Sequence, residues 1–133
     1  MQPNVITLAV DEANDSTLVD FVLTRFEEYL NRSKYIGADH TLTLRDELSM
    51  YRTFQKQNGN FKGVAKSSVK FTRDFEVLGV DGISTLTSPA IVEVSMSLPV
   101  GLTTAQIIEL RQRAIALLDR DDIMTPLNSQ LMV

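Results

Sequence analysis

The chain reads as an α+β fold in which antiparallel strands come first and helices last. Three features predict this. Apolar and polar residues alternate repeatedly between Val5 and Pro99, turn-forming clusters separate the alternating runs, and the period changes to the helical one at Leu102. With 133 residues, 44% of them hydrophobic and 23% charged, the chain has the size of one domain and enough apolar content to bury a core. It has no Cys and a single His, His40, which removes disulfides, thiolate catalysis, Cys- or His-ligated metal clusters and a histidine triad from consideration.

The first two alternating runs, Val5 to Val10 and Leu18 to Thr24, flank the turn-rich segment Asp11 to Ser16 and predict a β-hairpin. Phe26 to Gly37 fits either a helical turn or an irregular crossover. A half-buried strand is expected from His40 through HTLTLRDEL, with Leu42 and Leu44 on one side. The run SMYRTFQKQ has two possible facings, Ser49, Tyr51, Thr53 and Gln55 or Met50, Arg52, Phe54 and Lys56, and Asn58-Gly59-Asn60 after it is a hairpin turn signal. Phe61 to Phe75 alternates most cleanly: Lys62, Lys66, Ser68, Lys70 and Thr72 lie on one face, with Phe61, Ala65, Val69, Phe71 and Phe75 on the other. The Gly-punctuated stretch GVDGISTLTSP reads as a mobile loop, and Ala90 to Pro99 as a strand with Glu93, Ser95 and Ser97 opposite Val92, Val94, Met96 and Leu98.

Beyond Leu102, Thr103 and Gln106 have capping-box spacing ahead of a helix predicted over Thr104 to Asp119. Ile107, Leu110, Ala114, Leu117 and Leu118 form its apolar stripe, widened by Ile108 and Ile115. DRDD interrupts it, and Ile123 to Leu131 predicts a second short helix in which Pro126 constrains the first turn. Burying a large aliphatic side chain contributes about 1.5–3 kcal/mol, so the stripe must be covered, either by the chain's own sheet or by a partner's.

Charge is unevenly distributed. The window Leu48 to Arg73 has six basic residues (Arg52, Lys56, Lys62, Lys66, Lys70, Arg73) and no acidic one, while the remainder has seven basic against 17 acidic. Alternate strand residues are about 6.6–6.8 Å apart, a spacing on which a lysine ladder can track a phosphate backbone while hydroxyls reach bases or sugars. A solvated lysine face is the other reading of the same pattern. The opening residues lack a basic region of the signal-peptide kind, and the longest uncharged run, Val94 to Ile108, contains Pro99 and Gly101 and is shorter than the roughly 20 apolar residues of a membrane span; a soluble protein with no membrane partner is expected.

The order of elements, together with KSSVKFTRDFEV, the Gly-rich loop after it, AIVEVSMSLPVG and TTAQIIELRQRAIALLDRDDIMTPLNSQLMV, resembles the coat proteins of single-stranded RNA bacteriophages, the leviviruses. The resemblance implies one coat protein domain over residues 1–133: an N-terminal hairpin (1–25), a five-stranded antiparallel main sheet (38–100) and two C-terminal helices (103–131). The helices would cross to a partner, giving an intertwined homodimer with a ten-stranded sheet, with Ile107, Leu110, Ala114, Leu117 and Leu118 in the dimer interface. It further implies dimers closing into an icosahedral shell around genomic RNA, in the virion and, during assembly, in the bacterial cytoplasm. The inner sheet face would bind an RNA hairpin as translational repressor, with no catalytic residue, cofactor or metal. The inward positions correspond to Lys66, Ser68, Lys70 and Thr72, joined by Lys62 on the same strand face, and to Ile91, Glu93 and Ser95; on the preceding strand Tyr51 and Thr53 are preferred, leaving Met50 and Phe54 for the core at the cost of turning Arg52 toward the apolar side. Where family members stack an aromatic on a loop base this chain has Ile91, and Tyr51 is the substitute platform.

Other chemistry fares less well. His40 has no nucleophile motif beside it and reads as a strand-end residue. Glu27 with Glu28 and Asp121 with Asp122 are adjacent pairs that diverge on a regular element and so make poor metal ligands. The alternative function is a dimeric RNA-binding or ligand-binding α+β domain that forms no shell.

Overall fold

The computed structural model describes residues 3–131; Met1, Gln2, Met132 and Val133, which the expected domain bounds include, lie outside the described residues. Six strands, β1 (Val5–Val10), β2 (Val19–Tyr29), β3 (Arg32–Gly37), β4 (Asp46–Thr53), β5 (Val64–Leu78) and β6 (Thr85–Pro99), precede two helices, α1 (Thr104–Leu118) and α2 (Asp121–Leu131). The strands form one antiparallel meander in chain order, with β1 and β6 at its edges. The chain divides into two compact units: residues 1–55 with 65–97, which hold nearly all of the sheet, and residues 56–64 with 98–133, which hold the helices. No helix among the described residues is long and apolar enough to cross a membrane.

This corrects the expectation of a separate hairpin and a five-stranded sheet. The opening hairpin is the first third of the same sheet, and Phe26 to Gly37 is neither a helical turn nor a crossover. It is the end of β2, a tight turn and β3. The register slips between Arg25, opposite Tyr35, and Glu27, opposite Lys34, so that Phe26 is the extra residue of a bulge. One inserted residue reverses the apolar–polar alternation, which is why the strand cannot be read through it.

His40 to Arg45, in turn, is not a strand. The Thr41 backbone N–H donates to the Leu44 carbonyl at 2.8 Å and the Leu44 N–H to Thr41 Oγ1 at 3.0 Å, closing a turn that leaves Leu42 fully exposed. His40 lies in this connection, its Nδ1 accepting from the Asp46 N–H at 3.2 Å. The stretch after β5 is also shorter and tighter than the predicted mobile loop. β5 reaches Leu78 and β6 begins at Thr85, and the Asp81 carboxylate accepts from the Ile83 and Ser84 N–H groups at 3.0 and 2.9 Å. Those bonds to its charged form hold the Asp81 carboxyl below the usual carboxylate range.

The core lies on one sheet face. Leu23, Tyr35 and Leu48 are buried there, with Ile6, Leu8, Phe21, Met50 and Val69 packed around them. Met50 thus joins the core as expected, but Phe54 lies past the end of β4 and is 69% exposed. Arg52 finds its place on this side by donating to the Leu30 carbonyl at 3.1 Å.

Asp46 is also buried on this face, and its Oδ2 has no hydrogen-bond partner. Burial pushes its pKa up, against the opposing pull of Arg73. Between the unfolded value, about 4, and the raised folded value, the folded chain holds a proton that the unfolded chain has lost, so stability falls as pH rises through that window. Asp74 has the opposite sign: Arg45 holds it low, and its contribution is lost on acidification. Asp46→Asn is therefore expected to gain on wild type in thermal midpoint as pH rises. A constant gap across pH would contradict this origin of the dependence.

In the helical unit, Gly63 ends the predicted alternation. Its φ is +99°, and a Cβ there would lie 2.3 Å from the Lys56 carbonyl oxygen. Gly63→Ala is expected to destabilise by about 2–4 kcal/mol, read from urea denaturation. The Asn58-Gly59-Asn60 turn forms as expected, with Asn58 and Phe61 bridged and Gly59 at φ +60°. Thr103 and Gln106 complete the capping box of α1. α2 starts two residues earlier than predicted, because Asp121 and Asp122 supply first-turn acids that favour a helix N-terminus, and Pro126 is accommodated inside it.

Candidate nucleic-acid interface

The face opposite the core is polar because β4 and β5 pair in one register. Thr53 is opposite Lys66, Tyr51 opposite Ser68, Ser49 opposite Lys70 and Glu47 opposite Thr72. Directly opposed residues project to the same side, so the Tyr51–Thr53 facing and the lysine-bearing positions of β5 share one surface. Tyr51, Thr53, Lys66, Ser68, Glu93 and Ser95 line a shallow hollow of about 380 Å³, with Ser97 beside them. Six residues singled out from three separate strands are thereby brought together. The hollow offers one ammonium, a phenol, several hydroxyls and one carboxylate, a set suited to a phosphate and the polar edges of a base or sugar.

The other expected site residues fare differently. Lys70 lies on the same face one step along β5, opposite Ser49. Among the described residues neither Lys66 nor Lys70 is ion-paired, whereas Lys34 is held 3.6 Å from Glu47. Thr72 sits on this face but is only 7% exposed, so it supports the sheet and is not available to a ligand. Lys62 precedes the strand, and the left-handed backbone at Gly63 separates it from the alternation that carries Lys66. Ile91 is half exposed on β6.

Sequence reasoning missed the contribution of β3. Arg32 is opposite Tyr51 and Lys34 opposite Ser49, which puts both on the polar face. The alternation of RSKYIG, with Ser33, Tyr35 and Gly37 buried, was a usable signal once a strand was allowed there. Glu27 and Glu28 turn to different partners: Glu27 binds Arg32 at 2.7 Å and Glu28 binds Arg25 at 2.9 Å.

The apolar face of the sheet unit is incompletely covered. A groove of about 380 Å³ runs along Leu8, Phe21, Phe71, Phe75 and Val92, and Phe71 and Phe75 are 37% and 45% exposed. In the helical unit α1 has no buried residue at all, and Leu110, Leu117 and Leu118 of the predicted interface are each about half exposed. Ile107 is partly exposed and Ala114 exposed.

No protein-family profile matches the chain, and no curated protein does. Solved structures do. A virus-like particle of bacteriophage AVE019 is 22% identical, covers 97% of this chain and 96% of its own, and has a TM-score of 0.75. A virus-like particle of Beihai levi-like virus 32 is 19% identical over 84% of this chain and 83% of its own, with a TM-score of 0.68. The bacteriophage EMS014 coat protein is 13% identical over 88% of this chain and 74% of its own, with a TM-score of 0.60. A meander followed by two helices, shared along nearly the whole chain, gives this protein the fold of the levi-like phage coat proteins.

Proposed function

We propose that this chain is the coat protein of a single-stranded RNA phage, a structural subunit with no enzymatic role. The observation that carries the reading is the likeness to the AVE019 particle subunit over 97% of this chain and 96% of that one. The physical chemistry of the two faces supports it. The unburied α1 stripe and the open apolar groove each lack a cover, and a second copy of the chain supplies both at once, making a homodimer with a continuous sheet. Dimers then close into an icosahedral shell with the Lys66 and Lys70 face turned toward the enclosed genome. The same face binds an RNA hairpin and represses translation. The subunit resides in the virion, and in the host cytoplasm during assembly.

Expression in bacteria followed by size-exclusion chromatography and electron microscopy tests this. Closed particles containing RNA are expected. A discrete dimer under all conditions, including added RNA, would overturn the shell and return the protein to a dimeric RNA-binding domain.

A further inference from the structure

Asp46 is a carboxylate set among apolar side chains. It is the first residue of β4, shares the core face with Leu48 and Met50, and is 7% exposed. A Cβ at Gly37, the last residue of β3, would lie 2.5 Å from Asp46 Oδ2 and 3.0 Å from the Phe21 ring, so this glycine leaves room for the carboxylate. Oδ2 has no hydrogen-bond partner there, and Asp46 lines the apolar groove together with Phe21, Phe71 and Phe75. Its charged neighbours are engaged elsewhere. Arg73, opposite it on β5, holds its guanidinium 3.5 Å from the Asp39 carboxylate and 5.0 Å from the Phe75 ring centroid. His40 accepts only the Asp46 backbone N–H, and Glu12, also at the groove, adds a second negative charge.

The helix α1 carries the complementary anomaly. Its charged residues are Glu109, Arg111 and Arg113, and Glu109 pairs with Arg113 one turn on. Arg111 is exposed and makes no ion pair among the described residues. It stands four residues after Ile107, three before Ala114 and seven before Leu118, which puts it inside the apolar stripe and not on the polar side of the helix. A guanidinium in a stripe that becomes covered needs an acceptor, and a carboxylate in a groove that becomes covered needs a donor; burying either alone is costly. The two match in charge and in the planar fork geometry of a bidentate pair. The Asp χ2 torsion is soft, so a small turn of the Asp46 carboxylate presents both oxygens.

We infer that Asp46 is an intersubunit anchor whose occupant is the partner's Arg111, seated in the groove when α1 of a second copy lies across it. This rests on the homodimer reading above and adds a reciprocal ion pair, made twice by the two-fold symmetry, to an interface otherwise described by aliphatic residues. Such a pair adds little net stability over an apolar contact, but it fixes alignment. An aliphatic stripe alone lets a helix slip by one turn, about 5.4 Å, with small loss, whereas a slip here leaves two charges buried without partners. Burial favours the protonated acid in the unpaired chain, so the pH dependence of Asp46→Asn belongs to that state; the guanidinium favours the carboxylate once two copies pair.

The test uses the full chain and two measurements. In a double-mutant cycle on dimer dissociation, Arg111→Met and Asp46→Asn are each expected to raise the dissociation constant roughly 30-fold or more, because each strands the other group. The combined variant should return to within about tenfold of wild type. In the second measurement, chains carrying Asp46→Lys and chains carrying Arg111→Glu are given different tags and expressed separately and together. Each alone brings like charges together and should stay monomeric, while the mixture should give dimers carrying both tags, since both pairs are then restored across the two chains. Should Asp46→Lys fail to fold by circular dichroism, the cycle decides. Single variants that dimerise like wild type, or effects that simply add in the combined variant, would overturn the anchor and leave the dimer standing. So would a mixture that stays monomeric while one chain carrying both Asp46→Lys and Arg111→Glu dimerises, which would place the pair within a single chain. If wild type itself forms no dimer, the homodimer reading fails and the anchor with it.

Discussion

Leu110→Asp is expected to abolish self-association while leaving the individual chain folded. Leu110 lies on the α1 stripe, is 51% exposed within the single chain, and belongs to a helix that has no buried residue. A carboxylate there meets water in the isolated chain, so circular dichroism should change little. In the proposed dimer the stripe would be enclosed by apolar groups, and an unpaired charge in such a place costs about 3–5 kcal/mol, or more than 100-fold in the dissociation constant. Light scattering coupled to chromatography should find a species of one chain's mass and no particles. An intact dimer or shell would show that α1 does not pair two copies.

Removing the lysines of the polar face should affect RNA capture with comparable force. Lys66→Ala and Lys70→Ala each remove an ammonium without an ion-pair partner among the described residues, and each should lower the slope of log affinity against log salt by about one unit. The double variant should lose about twice that slope and bind more weakly on RNAs of any sequence, because phosphate contacts position the strand and do not read bases. Thr72→Ala serves as a contrast: Thr72 is buried, so its loss should change stability and not RNA affinity. Unchanged salt dependence in the double variant would remove RNA from this face.

The two sides of the protein were unequally legible in its amino acids. On β5 the alternation of Lys66, Ser68, Lys70 with Ala65, Ser67, Val69 and Phe71 is clean, and a period of two maps directly to two faces. The capping box and apolar stripe of α1 were equally plain, because capping and the 3.6-residue period are local properties. The end of β2 was hidden by a single bulged residue, Phe26, which masked its pairing with β3 although the alternation of β3 itself is intact, and a false strand was read through Leu42 and Leu44, whose alternation comes from a turn closed by Thr41. Both errors have one cause: a pattern shows a potential face, but only pairing partners decide whether a strand forms and in which register.

Sequence alone determined the order of strands before helices, the absence of Cys-based chemistry, the basic window and the aliphatic stripe, since each follows from residue type and spacing. Tertiary structure decided which of those residues meet. It brought Glu93 and Ser95 of β6 beside Tyr51 and Lys66, withdrew Thr72 into the sheet, took Lys62 off the strand, and aligned Tyr29 and Arg32 with Tyr51. These are relations between segments far apart in the chain, set by hydrogen-bond register across strands, and spacing along one strand carries no information about them.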